Sequence, residues 1–436
     1  MKEPICVFWF RRDLRLNDNR GLFEALSSGL PVLPIFIFDS QILQNLPEDD
    51  ARVHFIYECL TKISDALLKL TNSNLAIYHG TPEEIFTDIL KTHNVREVFI
   101  NADYEPYALN RDQGIGKLLQ NQNIKFRSFK DHVYFEKDEI VKEDGAPYVV
   151  YTPYMKKWKA TFRMLPGIPH YDSYGLLKQF KCVKSDHENP NLENLGFKAS
   201  SIKVPHYSIS ECLIEEYEAT RNFPALDGTS RLGPHLRFGT ISVRDAVQHA
   251  VTSKNETFWN ELIWREFFIQ ILWHFPHTTK SAFKKAYDRI AWRNDMNDFE
   301  KWKSGKTGFA LVDAGMRELQ ATGYMHNRVR MLTASFLCKH LLIDWRLGEA
   351  YFAEKLLDFE LASNVGNWQW AAGSGVDAAP YFRIFNPQTQ ILKFDKALQY
   401  IRKWIPEYET FDYPKPIVDH KFARERCLST YKSGLQ

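Results

Sequence analysis

The residues best equipped for chemistry lie between Asp358 and Asn386, with Trp264 and Asn327 upstream. Trp368 and Trp370 stand two apart, and Ala371, Ala372, Gly373, Ser374 and Gly375 follow at once. Large rings can stack on a flat ligand, and small residues let backbone approach it closely. The acids Asp358 and Glu360 and the amide Asn364 precede the rings. A Trp-rich turn of the core would account for the same run.

Three further stretches carry candidate groups. Asp227-Gly228-Thr229-Ser230-Arg231-Leu232-Gly233-Pro234 offers two hydroxyls and exposed backbone just before a proline suited to the first turn of a helix. Such a start can hold a phosphate, and a plain helix cap would look the same. On a helix, Glu261, Trp264, Arg265 and Phe268 fall on one face at i, i+3, i+4 and i+7. A carboxyl, an indole and a guanidinium there could grip a planar polar ligand, or be a packed ring beside a surface ion pair. Asn327, Arg330 and Met331 share another face, where an amide and a thioether suit a base-like ligand. His326 is read as a satisfied core histidine.

These groups need elements to position them. Ile5–Phe10, Pro31–Phe38, Leu75–Tyr78 and Val98–Asn101 read as strands, with helices over 82–92 and 106–120 between them. That alternation is a doubly wound α/β pattern, whose ligands sit at the carboxyl ends of strands. Arg11-Arg12-Asp13 lies at such an end, and Asp18 or Asn19 can cap the helix that follows. Gly114-Ile115-Gly116-Lys117 lacks both the hydroxyl residue after the lysine, where Leu118 stands, and a preceding strand, so it is not read as a phosphate loop. From 131 to 200 the prolines at 147, 153, 166, 169 and 190 suggest a connector with one short helix over 154–164. Beyond it the periodicity is helical, at 241–252, 257–275, 313–321, 327–342 and 346–357. The reading is therefore an α/β domain over 1–130, a connector over 131–200 and an all-α domain over 201–436.

Composition narrows the function. The chain has 436 residues, 44% apolar, with 14% aromatic and 11 tryptophans. A formal charge of +2 does not demand nucleic acid but permits a local basic face. Cys6, Cys59, Cys182, Cys212, Cys338 and Cys427 are scattered, which argues against a zinc or iron–sulfur site and suits free thiols in a reducing cytosol. No apolar run of about 18 residues predicts a membrane span, and no signal peptide is read, so a cytoplasmic monomer is expected. Asn255-Glu256-Thr257 is taken as a chance sequon.

Long motifs in fixed order, from Trp9-Phe10-Arg11-Arg12-Asp13-Leu14-Arg15 to Asp412-Tyr413-Pro414-Lys415-Pro416-Ile417-Val418, closely resemble the cryptochrome/photolyase family over nearly the whole chain. The resemblance implies an α/β antenna domain, a connector and a helical domain holding FAD in a U shape. It also implies blue-light-driven electron transfer from reduced flavin. The chain is most similar to class I cyclobutane pyrimidine dimer photolyases, lyases that split a carbon–carbon link in UV-damaged DNA. Base extrusion is an established habit of photolyases.

The resemblance also assigns residues. Thr229, Ser230, Arg231, Leu232 and Gly233 match the FAD phosphate loop, with Gly233 where many relatives carry Ser. Tyr217, Asp358, Phe359 and Glu360 match other FAD contacts, Arg265 is placed with them, and Arg330 with Asp358 resembles the ion pair beside the isoalloxazine. Asn364 matches the position facing flavin N5, where plant cryptochromes tend to carry Asp and animal ones Cys. Trp264 and Trp370 match the pair that grips the flipped dimer. Glu261, Asn327 and Met331 match further dimer contacts. Trp368, Trp345 and Trp292 match the electron-transfer chain. Arg221, Arg328, Arg383 and Gln390 match positions near DNA.

Asn327 and Met331 stand where (6-4) photolyases place a histidine pair, which argues against (6-4) repair. A signalling cryptochrome is the alternative, disfavoured by the lack of a long C-terminal tail. The folate pattern expects a histidine near Gln44 or Asn45 and an Asn-Glu pair near Tyr107 and Ala108, and neither is present. A deazaflavin, a second flavin or no antenna remain open.

Overall fold

The structure, a computed structural model, describes residues 2–177 and 187–436. Cys182 and the connector residues 178–186 lie outside the described residues. Cys6, Cys59, Cys212, Cys338 and Cys427 form no disulfide among the described residues. The chain divides into two compact units: Met1–Glu136, Met164–Tyr207 and Leu232–His249 form one, and Lys137–Arg163, Ser208–Arg231 and Ala250–Gln436 form the other.

The first unit holds a five-stranded parallel sheet in the order β3-β2-β1-β4-β5, the doubly wound arrangement. Its strands are β1 Pro4–Phe10, β2 Val32–Asp39, β3 Ala76–Gly80, β4 Asn94–Asn101 and β5 Lys125–Phe129. β1 and β2 are almost wholly buried apolar runs, because helices cover both faces of the sheet. β5 is a finding, since the sequence pattern does not suggest it. It is a short edge strand reading Lys-Phe-Arg-Ser-Phe, and Lys125 and Arg127 pair with Glu97 of β4 at 3.3 and 2.7 Å. Charged side chains on an edge guard it against further pairing and disguise it as loop. Gly114 and Gly116 lie inside the helix Pro106–Gln120, which leaves no phosphate loop there. Asn19 caps the helix Arg20–Leu26, as expected.

The division of the chain runs differently from the expected boundaries. Residues 131–200 do not form a separate connector: their helix Tyr151–Arg163 belongs to the helical unit, and the stretch from Met164 belongs to the α/β unit. Leu232–His249, expected in the helical domain, also belongs to the α/β unit. The reason is a buried ionic cluster. Arg244 donates to both carboxylate oxygens of Asp18, at 3.0 and 2.9 Å, and to Asp131 at 2.7 Å. Asp131 also accepts from Arg15, and Arg237 pairs with Glu105 at 2.5 Å.

The second unit is helical, as expected. Its core gathers Trp302, Trp345, Trp368 and the apolar faces of the helices Ala310–Thr322, Asn327–Ser335, Trp345–Lys355 and Leu361–Ala372. The expected helix over 327–342 becomes a π-helix at Phe336–His340 and stops there. Among the described residues no helix is long and apolar enough to cross a membrane.

Candidate functional site

The helix Leu361–Ala372 begins after Glu360 in extended conformation and ends on Gly373, whose φ of 92° supplies the left-handed cap. One of its faces carries Asn364, Asn367, Trp368 and Ala371, at i, i+3, i+4 and i+7. They border a cavity of about 590 Å³. Another face lies against the helix Thr257–His274: a Cβ on Gly366 would fall 2.2 Å from the Phe268 ring. Gly348 makes similar room for Trp368, since a Cβ there would meet the indole at 2.2 Å.

The helix Asn327–Ser335 forms the facing wall, and Asn327, Arg330 and Met331 all border the cavity, as their spacing suggests. Asp358, Phe359, Glu360 and Trp370 border it too. Arg330 holds Asp358 through two parallel bonds of 3.0 and 2.9 Å. Burial opposes the charge on Arg330, but Asp358 outweighs it and raises the guanidinium above its usual range. Arg265 reaches Glu360 at 3.2 Å. Asn364 donates through Nδ2 to Glu349, to the carbonyl at 3.0 Å and to Oε1 at 2.8 Å, which leaves its amide oxygen as the acceptor for a ligand. Burial raises the Glu349 carboxyl against the pull of that bond. Glu349 is a site residue that sequence reasoning missed; its one signal is its place a helical turn after Trp345.

Glu261 and Trp264 do not border this cavity. The expected cation beside Glu261 is corrected: Arg265 turns to Glu360, and Glu261 instead accepts from Arg221 at 2.5 Å. Burial works against Arg221, and Glu261 lifts it above its ordinary value. Arg221 also stands over the Tyr217 ring at 5.3 Å. Trp264 is stacked on Tyr151.

The candidate DNA contacts are partly brought together. Arg328 is lowered by burial and then by the nearby charges of Arg221 and Arg383, so the three cations share a field. Arg328 donates to Asn222 and lies over the Phe394 ring at 4.5 Å. Arg383 is exposed, and its carbonyl accepts from the buried Lys339 at 2.9 Å. Gln390 lies on the helix Pro387–Phe394 nearby in sequence.

Trp368 and Trp345 are buried, and Trp292 is half-buried. Trp368 meets Phe352 at 5.0 Å and Trp302 at 6.1 Å, and Trp292 meets Tyr431 at 5.9 Å. Trp302 and Tyr431 were not singled out by sequence, where either reads as plain core.

His326 departs from its expected role. Its Nδ1 accepts from the Arg328 N–H, so the proton sits on Nε2, which is buried without a partner. Burial and then Arg330, Arg328, Arg231 and Arg221 lower it to about 4. An orphaned donor among arginines fits a diphosphate, and the cavity's ion pair and free amide oxygen fit the edge of a flavin. The residues present therefore fit FAD. Of the phosphate-loop candidates, Thr229 meets the Tyr324 hydroxyl at 3.2 Å and Arg231 holds a left-handed φ of 52°. Ser230 accepts from the Ser208 N–H through its carbonyl at 2.9 Å. Leu232 and Gly233 belong to the α/β unit, where Gly233 opens the helix Gly233–Arg237 with Pro234 in its first turn.

The α/β unit has a cavity of its own, about 800 Å³, at the carboxyl ends of β1 and β2. Trp9, Arg12, Asp39, Tyr107, Arg111 and Arg237 border it. Tyr107 donates to Asp39 at 2.5 Å, and Arg111 stands over Trp9 at 4.9 Å.

Residues 6–172 match the DNA photolyase family, and residues 258–412 match the FAD binding domain of DNA photolyase. A deoxyribodipyrimidine photo-lyase of Alkalihalophilus pseudofirmus is 36% identical, covering 99% of this chain and 98% of its own. The chain belongs to the DNA photolyase family. Its helical unit carries the family's FAD-binding domain. Two solved photolyases are alike in structure. A bacterial class III photolyase from Agrobacterium tumefaciens has a TM-score of 0.88 at 33% identity, over 100% of this chain and 98% of that one. An archaeal photolyase from Sulfolobus tokodaii, solved with two FAD molecules, has a TM-score of 0.83 at 33% identity, over 98% and 99% of the two chains.

Proposed function

We propose that this photolyase splits cyclobutane pyrimidine dimers in UV-damaged DNA under blue light. The observation that carries the reading is the cavity where the Arg330–Asp358 pair and the Asn364 amide face Asn327, Met331 and Trp370. When bound, reduced FAD supplies the photoexcited electron that dimer cleavage needs. Around it the chain's own residues divide the work. Tyr217, Thr229, Ser230, Arg231 and His326 hold the phosphate and ribose side, and Arg330, Asp358, Arg265 and Glu360 fix polar ring edges. Asn364, oriented by Glu349, presents an oxygen to a ring N–H.

Trp264 and Trp370 stack on the extruded dimer, with Asn327 and Met331 against its other edges. Glu261 accepts a hydrogen bond from a thymine N–H. Arg221, Arg328, Arg383 and Gln390 meet the DNA backbone. Trp368, Trp345 and Trp292 carry electrons inward when the cofactor is oxidised. The α/β cavity, with the Trp9 and Tyr107 rings at its wall, is the place for a second chromophore, as those rings and the two FAD molecules of the Sulfolobus tokodaii photolyase suggest.

The test is repair of a thymine-dimer oligonucleotide under blue light against a dark control, with mass identification of released chromophores. No light-dependent repair by reduced, FAD-loaded protein would leave a flavin photoreceptor in its place.

A further inference from the structure

Trp264 has a partner that none of these roles uses. Tyr151, at the start of the helix Tyr151–Arg163, lies on the indole with ring centroids 3.6 Å apart and planes 6° apart. Phe267 meets both rings edge-on, 5.8 Å from Tyr151 and 5.5 Å from Trp264. Phe268 approaches the indole at 5.5 Å with a 27° tilt, an offset contact, and part of Trp264 stays open to solvent.

Tyr151 is fixed at two points. Its hydroxyl donates to the Asn260 carbonyl at 2.7 Å, one turn before Trp264 on the same helix. Its backbone N–H donates to Asp377 at 3.1 Å. Asp377 lies in the loop after Trp370 and holds a left-handed φ of 44°. Burial, and then Glu261, push the Tyr151 hydroxyl up, so it stays a neutral donor. One buried residue thus ties the helix bearing Trp264 to the loop that follows Trp370.

We propose that Tyr151 is a positioning residue for lesion recognition: it backs one face of Trp264 and fixes the plane on which the dimer stacks. The proposal rests on the reading of Trp264 as a lesion contact. A ring already held in its bound orientation loses less freedom on binding, which strengthens binding without a new contact. The opposite arrangement, in which Tyr151 occupies the lesion's own place and must leave, has the opposite sign and is separable by experiment.

The test uses the full chain with FAD bound and reduced. Affinity for a thymine-dimer oligonucleotide and repair yield per photon are measured for Tyr151→Leu, Tyr151→Phe, Trp264→Ala and the Tyr151→Leu/Trp264→Ala pair. FAD content and melting temperature report folding. Tyr151→Leu should bind the dimer about 2- to 10-fold more weakly, the worth of an aromatic pair. Tyr151→Phe keeps the ring and should restore binding to within about 2-fold, well under the 1.4 kcal/mol of a tenfold change. Yield per bound dimer should stay parental in both. The double variant should bind no more weakly than Trp264→Ala alone, because the effect runs through the indole.

Tighter binding by Tyr151→Leu, or losses that simply add in the double variant, would overturn the proposal. If Tyr151→Leu loses FAD, Asp377→Ala, which releases the backbone anchor alone, must weaken binding and must do so only when Trp264 is present. Parental binding by Trp264→Ala would remove the lesion reading and this proposal together. A loss in Trp264→Ala with none in Tyr151→Leu removes this proposal only.

Discussion

The cavity at the carboxyl ends of β1 and β2 and the cavity between Asn327 and Trp370 both combine aromatic rings with arginine–carboxylate pairing, yet the charges around them are arranged differently. Each arginine bordering the α/β cavity is matched. Arg11 holds Asp112 at 2.6 Å, Arg12 holds Asp103 and Glu105 at 3.1 Å each, and Arg237 holds Glu105. Burial alone would raise Asp103, but Arg12, His132 and the other cations keep it below its ordinary range. In the helical unit Arg330–Asp358 and Arg265–Glu360 are closed beside the cavity, and Arg221 is matched by Glu261. Beyond them Arg328 is lowered by burial and by the nearby charges of Arg221 and Arg383, and His326 keeps an unused donor. A balanced lining selects by shape and stacking. Arginines such as Arg328 and Arg383, for which no carboxylate partner stands among the described residues, are completed by an anion, whether cofactor phosphate or nucleic-acid backbone.

The contrast can be broken at its strongest pair. Asp358→Ala leaves the half-buried Arg330 without its carboxylate partner, which should cost roughly 3 kcal/mol and empty the site of FAD. Denaturant unfolding and the flavin-to-protein absorbance ratio measure both. A variant that keeps parental stability and cofactor would place the decisive charge elsewhere.

Next in size is Trp264→Ala. Base stacking is worth roughly 1–3 kcal/mol, so dimer affinity should fall by about 5- to 150-fold while FAD stays bound. Titration with dimer-containing and undamaged DNA reads the difference.

Arg328→Ala sharpens the claim about excess cations. Losing one phosphate contact should lower the slope of log affinity against log salt by about one, equally for damaged and undamaged DNA. A slope that does not move would assign Arg328 to structure.

The smallest effect belongs to the matched cavity. Tyr107→Phe removes the bond to Asp39 and should cost about 0.5–1.5 kcal/mol at most, with repair by reduced enzyme unchanged. A drop in repair yield measured with light absorbed by FAD alone would tie the α/β cavity to the chemistry itself.

Trp292→Phe addresses the route inward and leaves both cavities intact. Photoreduction of oxidised protein should stop, and repair by chemically reduced protein should continue. Parental photoreduction would move the route to other rings, such as Trp302 beside Trp368.

Sequence patterning reached some of this and missed the rest for identifiable reasons. β1 and β2 were legible because strands covered on both faces read as unbroken apolar runs. β5 was not, since an edge strand with Lys125 and Arg127 looks like loop. The face shared by Asn327, Arg330 and Met331 followed from helical spacing alone. What spacing could not give were partners distant along the chain: Arg221 for Glu261, Glu349 for Asn364, Asp377 for Tyr151. The chemical identity of the site came from the family resemblance, because rings and small residues in a row describe a core turn equally well.

The placement of Arg244 has a consequence for how this protein can be inherited or cut. Three stretches of one unit alternate with three of the other, so the chain passes between them five times. A fragment ending at Glu136 would keep Asp18 and Asp131 but lack the guanidinium that both of them need. It would bury two carboxylates with half their compensation. No single splice yields an intact α/β unit, and a chimera that trades this unit with a relative must carry Leu232–His249 along with the sheet.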